Sequence, residues 1–262
     1  MDVRARVKEH FDEAAKMFSE KQIVGIFLQG SQNYGLETPE SDVDTKCIIV
    51  PTFYDMAMNC KLQSGTHIME NGEHLDYKDI RLYFQTLRKQ NLNFLEILFT
   101  DYFIINPMFA EEWGTLLDHR EEIVRMNPCY AIKAMNGLAH EKYRKLFIRT
   151  EVNAARFDRY NYDPKQLFHL YRIEDFIENY INGHPFKKCM KPADPDFYIN
   201  IKHGYYTDFE AEEVADKALE SIDWMSNCFL EETPGGENKE TKELLDKVLY
   251  QIVEKSVKGE LL

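Results

Sequence analysis

Two aspartates, Asp42 and Asp44, flank Val43 and lead into an apolar run, Cys47-Ile48-Ile49-Val50, that Pro51 closes. Residues two apart on a strand share a face. Two carboxylates on one face can hold Mg²⁺ against the phosphates of a nucleoside triphosphate. Upstream, Gly30-Ser31 ends another apolar run, Ile23 to Leu28. Glycine lets the backbone approach a phosphate, the Ser31 hydroxyl adds a donor, and a helix beginning after the turn would aim free N–H groups at the anion. Alone, Gly30-Ser31 is an ordinary turn, and the aspartate pair is as readily a solvated turn as a site. Together, behind an apolar strand, they favour phosphate chemistry.

A two-metal site needs a further acid. Leu75-Asp76-Tyr77 supplies one with apolar flanks, just after the Asn71-Gly72 turn. Glu73 lies close to that turn and on the opposite strand face from Asp76. Asp79 reads better as a helix cap. Asp76 is therefore the expected third carboxylate, against the alternative of a solvent-facing strand residue. Lys165, His169 and Arg172 are spaced by four and three residues, which puts them on one helix face. Such a face can meet a triphosphate or a nucleic-acid backbone, or be a solvated basic surface beside Glu174 and Asp175. Glu96, among Phe94, Leu95, Ile97 and Leu98, reads as a structural acid seeking a basic partner.

The run Gly30-Ser31-Gln32-Asn33-Tyr34-Gly35, followed by Pro39-Glu40-Ser41-Asp42-Val43-Asp44, resembles the DNA polymerase beta nucleotidyltransferase superfamily. More narrowly it resembles the predicted nucleotidyltransferases of the RNA repair pathway polymerase-beta family. Arg81 to Leu98, ending Asn91-Leu92-Asn93-Phe94-Leu95-Glu96-Ile97-Leu98, is similar to that family's segment with Asn-Pro-x-x-x-Glu-Leu. Tyr162 to Arg172 is similar to its Lys-x-x-x-His-x-x-Arg helix, trailed by Gly183. Leu92 stands where the family usually has proline, and Cys47 where it has glycine. The resemblance covers roughly residues 23–185. It implies transfer of an NMP from an NTP to an acceptor hydroxyl, with Asp42, Asp44 and Asp76 on Mg²⁺ or Mn²⁺. It also implies that Gly30 and Ser31 hold the β- and γ-phosphates, and that Lys165, His169 and Arg172 line the far wall of a cleft between two units. The acceptors left open are an RNA end, a protein side chain and a small molecule; the family name favours RNA.

These residues must be carried by elements the sequence also marks. Apolar spacing predicts a helix over 3–20, strands at 23–28 and 43–50, and a hairpin of 66–69 with 73–77 around Asn71-Gly72. Helices follow at 79–90, from Asp79, and at 93–99, from Asn93, with a short strand at 101–105. Beyond Pro107 the pattern is helical: 108–125, 128–149, 164–182, 208–230 and 238–257, with an irregular stretch at 192–204. The expected fold is α+β, a small twisted mixed sheet with flanking helices followed by a helical domain. The expected division is a catalytic domain over 1–106 and a helical domain over 107–262.

The net charge is −13, from 45 acidic and 32 basic residues, which disfavours a broad nucleic-acid footprint or adhesion to anionic membranes. Residues 131–172 run against that trend, with nine basic and four acidic side chains, and form a candidate phosphate-facing wall. Residues 207–262 carry fifteen acidic and six basic ones and read as a solvated cover. Five scattered cysteines without a Cys-x-x-Cys pair argue against structural zinc or a disulfide framework, which fits a reduced, cytoplasmic setting. The charged start lacks a signal-peptide core, and no apolar run is long enough to cross a membrane. A rival reading is a nucleotide-binding or regulatory protein that keeps the pocket without turnover.

Overall fold

The computed structural model describes residues 2–38 and 41–261, so Pro39 and Glu40 of the motif lie outside the described residues. The fold is α+β: one five-stranded mixed sheet flanked by helices, followed by a largely helical stretch. The strands are β1 (Ile23–Gln29), β2 (Asp44–Ile49), β3 (Ser64–Ile68), β4 (His74–Asp79) and β5 (Phe103–Ile105), in the order β3-β4-β2-β1-β5. β2 and β4 are parallel; the other neighbours are antiparallel.

Alternation on the strands makes two unlike faces. Ile26, Leu28, Cys47, Ile49 and Leu75 point one way, and helix α1 (Val3–Met17) covers them with Val7 and Ala14. Asp2 starts that helix by accepting from the amides of Arg4 and Ala5 at 3.0 and 3.2 Å. Burial also pushes the Cys47 thiol up to about 12. Gly25 is required on β1 because a Cβ there would stand 2.9 Å from the Ile104 carbonyl oxygen.

The other face carries Phe27 and Gln29 of β1, Asp44 and Lys46 of β2, and Asp76 and Lys78 of β4. Its lower half is closed by aromatics. Phe27 stacks on Trp113 with ring centroids 4.3 Å apart, and Tyr83 lies 5.9 Å from the same indole. Each such buried ring contributes on the order of 2–3 kcal/mol. Tyr83 comes from α4 (Ile80–Arg88), which Asp79 caps through the Arg81 amide at 2.8 Å, and Trp113 from α6 (Ala110–Asp118).

Between these elements are short helices: α2 (Ser31–Tyr34), α3 (Phe53–Ala57), α5 (Leu92–Leu95) and, after His119, α7 (Arg120–Ile123). The helix expected from Asn93 is instead capped by Asn91, which accepts from the Asn93 amide at 3.1 Å. The helix expected over 108–125 breaks at His119, whose own backbone leaves helical geometry.

The remaining helices are α8 (Pro128–Lys145), α9 (Ala154–Tyr160), α10 (Pro164–Ile181), α11 (Phe186–Cys189), α12 (Pro195–Lys202), α13 (Asp208–Glu232) and α14 (Lys239–Leu261). The irregular reading of 192–204 is corrected by α12, where Asp194 caps through the Phe197 amide at 3.1 Å and Pro195 occupies the first helical position. Two compact units result. One comprises Met1–Asn33, Glu37–Asn127 and Glu237–Leu262; the other comprises Tyr34–Leu36 and Pro128–Gly236. In the second, α8, α10 and α13 pack on one another and α12 lies on α10. No helix among the described residues is long and apolar enough to cross a membrane.

Candidate functional site

In the sheet unit, β1 ends at Gln29, and Gly30 turns the chain with φ of +91°, a backbone state that glycine adopts without strain. Nothing stands within 4 Å of where a Cβ at Gly30 would be, so the turn is open. Ser31 begins α2, a single turn of four residues. Gln32 reaches forward and donates through Nε2 to the Asp42 carbonyl at 3.2 Å.

Asp42 precedes β2 and its side chain is exposed; Asp44 begins the strand and is about one-third exposed. The backbone N–H of His74 donates to Asp44 Oδ1 at 2.9 Å. Asp76 stands on the neighbouring parallel strand, in register with Lys46 rather than Asp44. Strand spacing and rise therefore put the Asp44 and Asp76 backbones roughly 8 Å apart.

Asp76 is well occupied. Thr66 Oγ1 donates to its Oδ1 at 2.6 Å, Gln29 Nε2 to its Oδ2 at 3.0 Å, and Lys46 Nζ lies 3.4 Å from the same oxygen. Burial pushes this carboxyl up, but Thr66, Gln29 and Lys46 together outweigh burial and hold it below the usual carboxylate range. Lys46 is itself buried. Its ammonium and that of Lys78 each lie 4.5 Å from the centre of the Phe94 ring. Burial first, and then the Lys46 charge, lower the Lys78 ammonium below its ordinary range.

Among the described residues no group of three or more His, Cys, Asp or Glu side chains is placed to hold a metal ion. Asp42 and Asp44 have the hard oxygen donors that Mg²⁺ takes. Asp76 shares the sheet face of Asp44, with the Lys46 ammonium 3.4 Å from its Oδ2.

In the helical unit, Lys165, His169 and Arg172 all lie on α10, whose start is well built. Asp163 caps it, accepting from the Lys165 amide at 3.1 Å and from Arg156 Nε at 2.9 Å. Arg156, Gln166 and Asn153 hold the fully buried Asp163 carboxyl below its usual range against the upward push of burial. Lys165 is exposed, whereas His169 and Arg172 are half-buried. Desolvation, then the charges of Arg172, Lys142, Lys165 and Lys202, push the His169 imidazole well below its ordinary value. At neutral pH His169 is therefore an uncharged ring facing cations from α8, α10 and α12. The Arg172 guanidinium lies over the Tyr34 ring, 3.7 Å from its centre.

The sequence pattern did not single out Lys46, Thr66 or Gln29, and it marked Tyr34 only as part of the Gly30–Gly35 motif. The first was available from alternation alone, since Asp44 and Lys46 are two apart on one strand. Thr66 and Gln29 became visible only when pairing set them beside Asp76 and Asp44. No protein-family model matches the chain, and no curated protein matches it.

Proposed function

We propose that this chain is a metal-dependent nucleotidyltransferase that moves an NMP from an NTP to an acceptor hydroxyl and releases pyrophosphate. The observation that carries the reading is a single polar sheet face bearing Asp44 and Asp76, with exposed Asp42 two residues ahead and an open Gly30 turn ending the adjacent strand. Asp42 and Asp44 would hold Mg²⁺ or Mn²⁺, which supplies charge neutralisation at the transferring phosphate. Gly30 and Ser31 would take the β- and γ-phosphates through backbone and hydroxyl donors.

Asp76, tied to Lys46, is given no metal in this reading. Its carboxylate already accepts a hydroxyl hydrogen from Thr66 at 2.6 Å, and it would orient an acceptor hydroxyl in the same way. Lys165, Arg172 and neutral His169 would bind anionic oxygens of the nucleotide or the acceptor. An RNA end is the acceptor most compatible with the basic stretch 131–172, although a net charge of −13 favours a small footprint. A protein or small-molecule hydroxyl is the other acceptor class.

One observation favours a second reading. The Lys46–Asp76 contact occupies the expected third carboxylate, as in a protein that binds nucleotide without turnover. Incubation with each α-labelled NTP and Mg²⁺ or Mn²⁺, with and without total RNA, separates the two. Label transfer that disappears in Asp42→Ala and Asp44→Ala supports the enzyme. NTP binding without transfer supports the second reading, and equal transfer by those variants sinks the first.

A further inference from the structure

Glu73 follows the Asn71-Gly72 turn, off the carboxylate face, and is only 5% exposed. Its Oε1 accepts the amide of Val43, the residue between Asp42 and Asp44, at 3.2 Å. Its Oε2 takes His10 Nε2 at 2.9 Å, Asn71 Nδ2 at 3.0 Å and the Arg6 guanidinium at 2.5 Å. An ionised carboxylate only accepts, so His10 Nε2 carries the hydrogen. His10 Nδ1 in turn bonds Thr45 Oγ1 at 2.8 Å, and both residues are fully buried. The residue after Glu73, His74, gives its amide to Asp44. Val43, Asp44 and Thr45 are thus each tied, in sequence, to α1 or to the hairpin end.

A buried ionic cluster is weak evidence for stability, because well-packed apolar residues of similar volume often serve as well. This cluster is aimed at the backbone that presents the two aspartates. We infer that Glu73, with His10 and Thr45, is a positioning group that sets the orientation of Asp42 and Asp44. The inference rests on the nucleotidyl-transfer reading for its activity readout, while its backbone readout is independent of that reading.

The test uses the full chain carrying Glu73→Gln, Thr45→Val or Thr45→Ser. Glu73→Gln is expected to lower kcat by at least about tenfold, the usual cost of losing a group that orients a ligand side chain. KM for the NTP is expected to stay close to wild type, and hydrogen exchange at the Val43 amide to accelerate. Thr45→Val acts in the same direction, and Thr45→Ser, which keeps the hydroxyl, restores turnover. Wild-type kcat in folded Glu73→Gln, or unchanged Val43 protection, overturns the inference. If Glu73→Gln does not fold, the Thr45→Val and Thr45→Ser pair decides by the same two measurements. If the wild-type chain transfers no nucleotide while Val43 exchange accelerates in Glu73→Gln, the nucleotidyl-transfer reading fails and the clamp on the segment stands.

Discussion

Arg172 places its guanidinium 3.7 Å from the centre of the Tyr34 ring, and the Phe168 ring lies 5.7 Å away on the same helix. Tyr34 is three residues beyond Ser31, and Arg172 closes the basic series on α10. Both residues belong to the helical unit, where the cation is held against a buried ring. A double-mutant cycle of Tyr34→Leu and Arg172→Met, read by urea unfolding, is expected to give a coupling of about 0.5–2 kcal/mol. Additive effects would mean that the contact contributes nothing.

Asp42→Asn and Asp44→Asn should separate chemistry from stability. Both side chains are exposed or part-exposed, and an asparagine at 44 can still accept the His74 amide. Melting temperatures should stay near wild type, while nucleotide transfer falls on the order of 100-fold or more because the charge facing the cation is gone. A variant that melts normally and transfers at the wild-type rate would remove the aspartates from the site.

Lys46→Met removes the cation that faces Asp76. Burial then acts with only Thr66 and Gln29 opposing it, so the Asp76 carboxyl should titrate at a higher pH than in the wild type. Carbon-detected NMR titration measures this directly. An Asp76 titration that does not move would show that Lys46 is not what holds the carboxylate down.

His169 has a definite pH signature. Its folded value lies well below the ordinary 6.5, so the unfolded chain binds the proton more readily. The contribution to stability is present above pH 6.5 and is lost as the pH falls toward the folded value. Wild-type unfolding free energy should decline below pH 6.5 more steeply than that of His169→Gln. Pyrophosphate should raise the imidazole titration by offsetting the surrounding cations. A ring that titrates identically with and without pyrophosphate would argue against anion binding on α10.

Asp163 and Glu73 both sit below their usual carboxylate values, 3.8 and 4.5. For each, the stabilising contribution is present above the usual value and is lost as the pH drops through the lowered one. Acid unfolding should therefore begin below about pH 4.5. Asp163→Asn should flatten that limb and also lower stability at neutral pH, because the Arg156 guanidinium loses its charged partner while asparagine can still cap α10. An acid limb identical to wild type would show that the cap charge is not what the proton attacks.

Much of the architecture was written in local pattern. The apolar run Ile23 to Leu28 suggested a buried strand, Asn71-Gly72 marked the hairpin, Asp79 marked a helix start, and the spacing of Lys165, His169 and Arg172 put them on one face. Such features depend on neighbours within a few residues, which a sequence displays. Pairing and partnership do not. The parallel register of β2 with β4 set Lys46, not Asp44, opposite Asp76. The edge strand then brought Thr66 to the same carboxylate. Burial turned Glu73 from a turn-side acid into the acceptor of the Val43 amide. The last helix, α14, packs with α4 and α6 of the sheet unit although more than a hundred residues separate it from them in sequence. Each of these is a contact between distant segments, fixed by which apolar faces can be buried together, and no local spacing contains it.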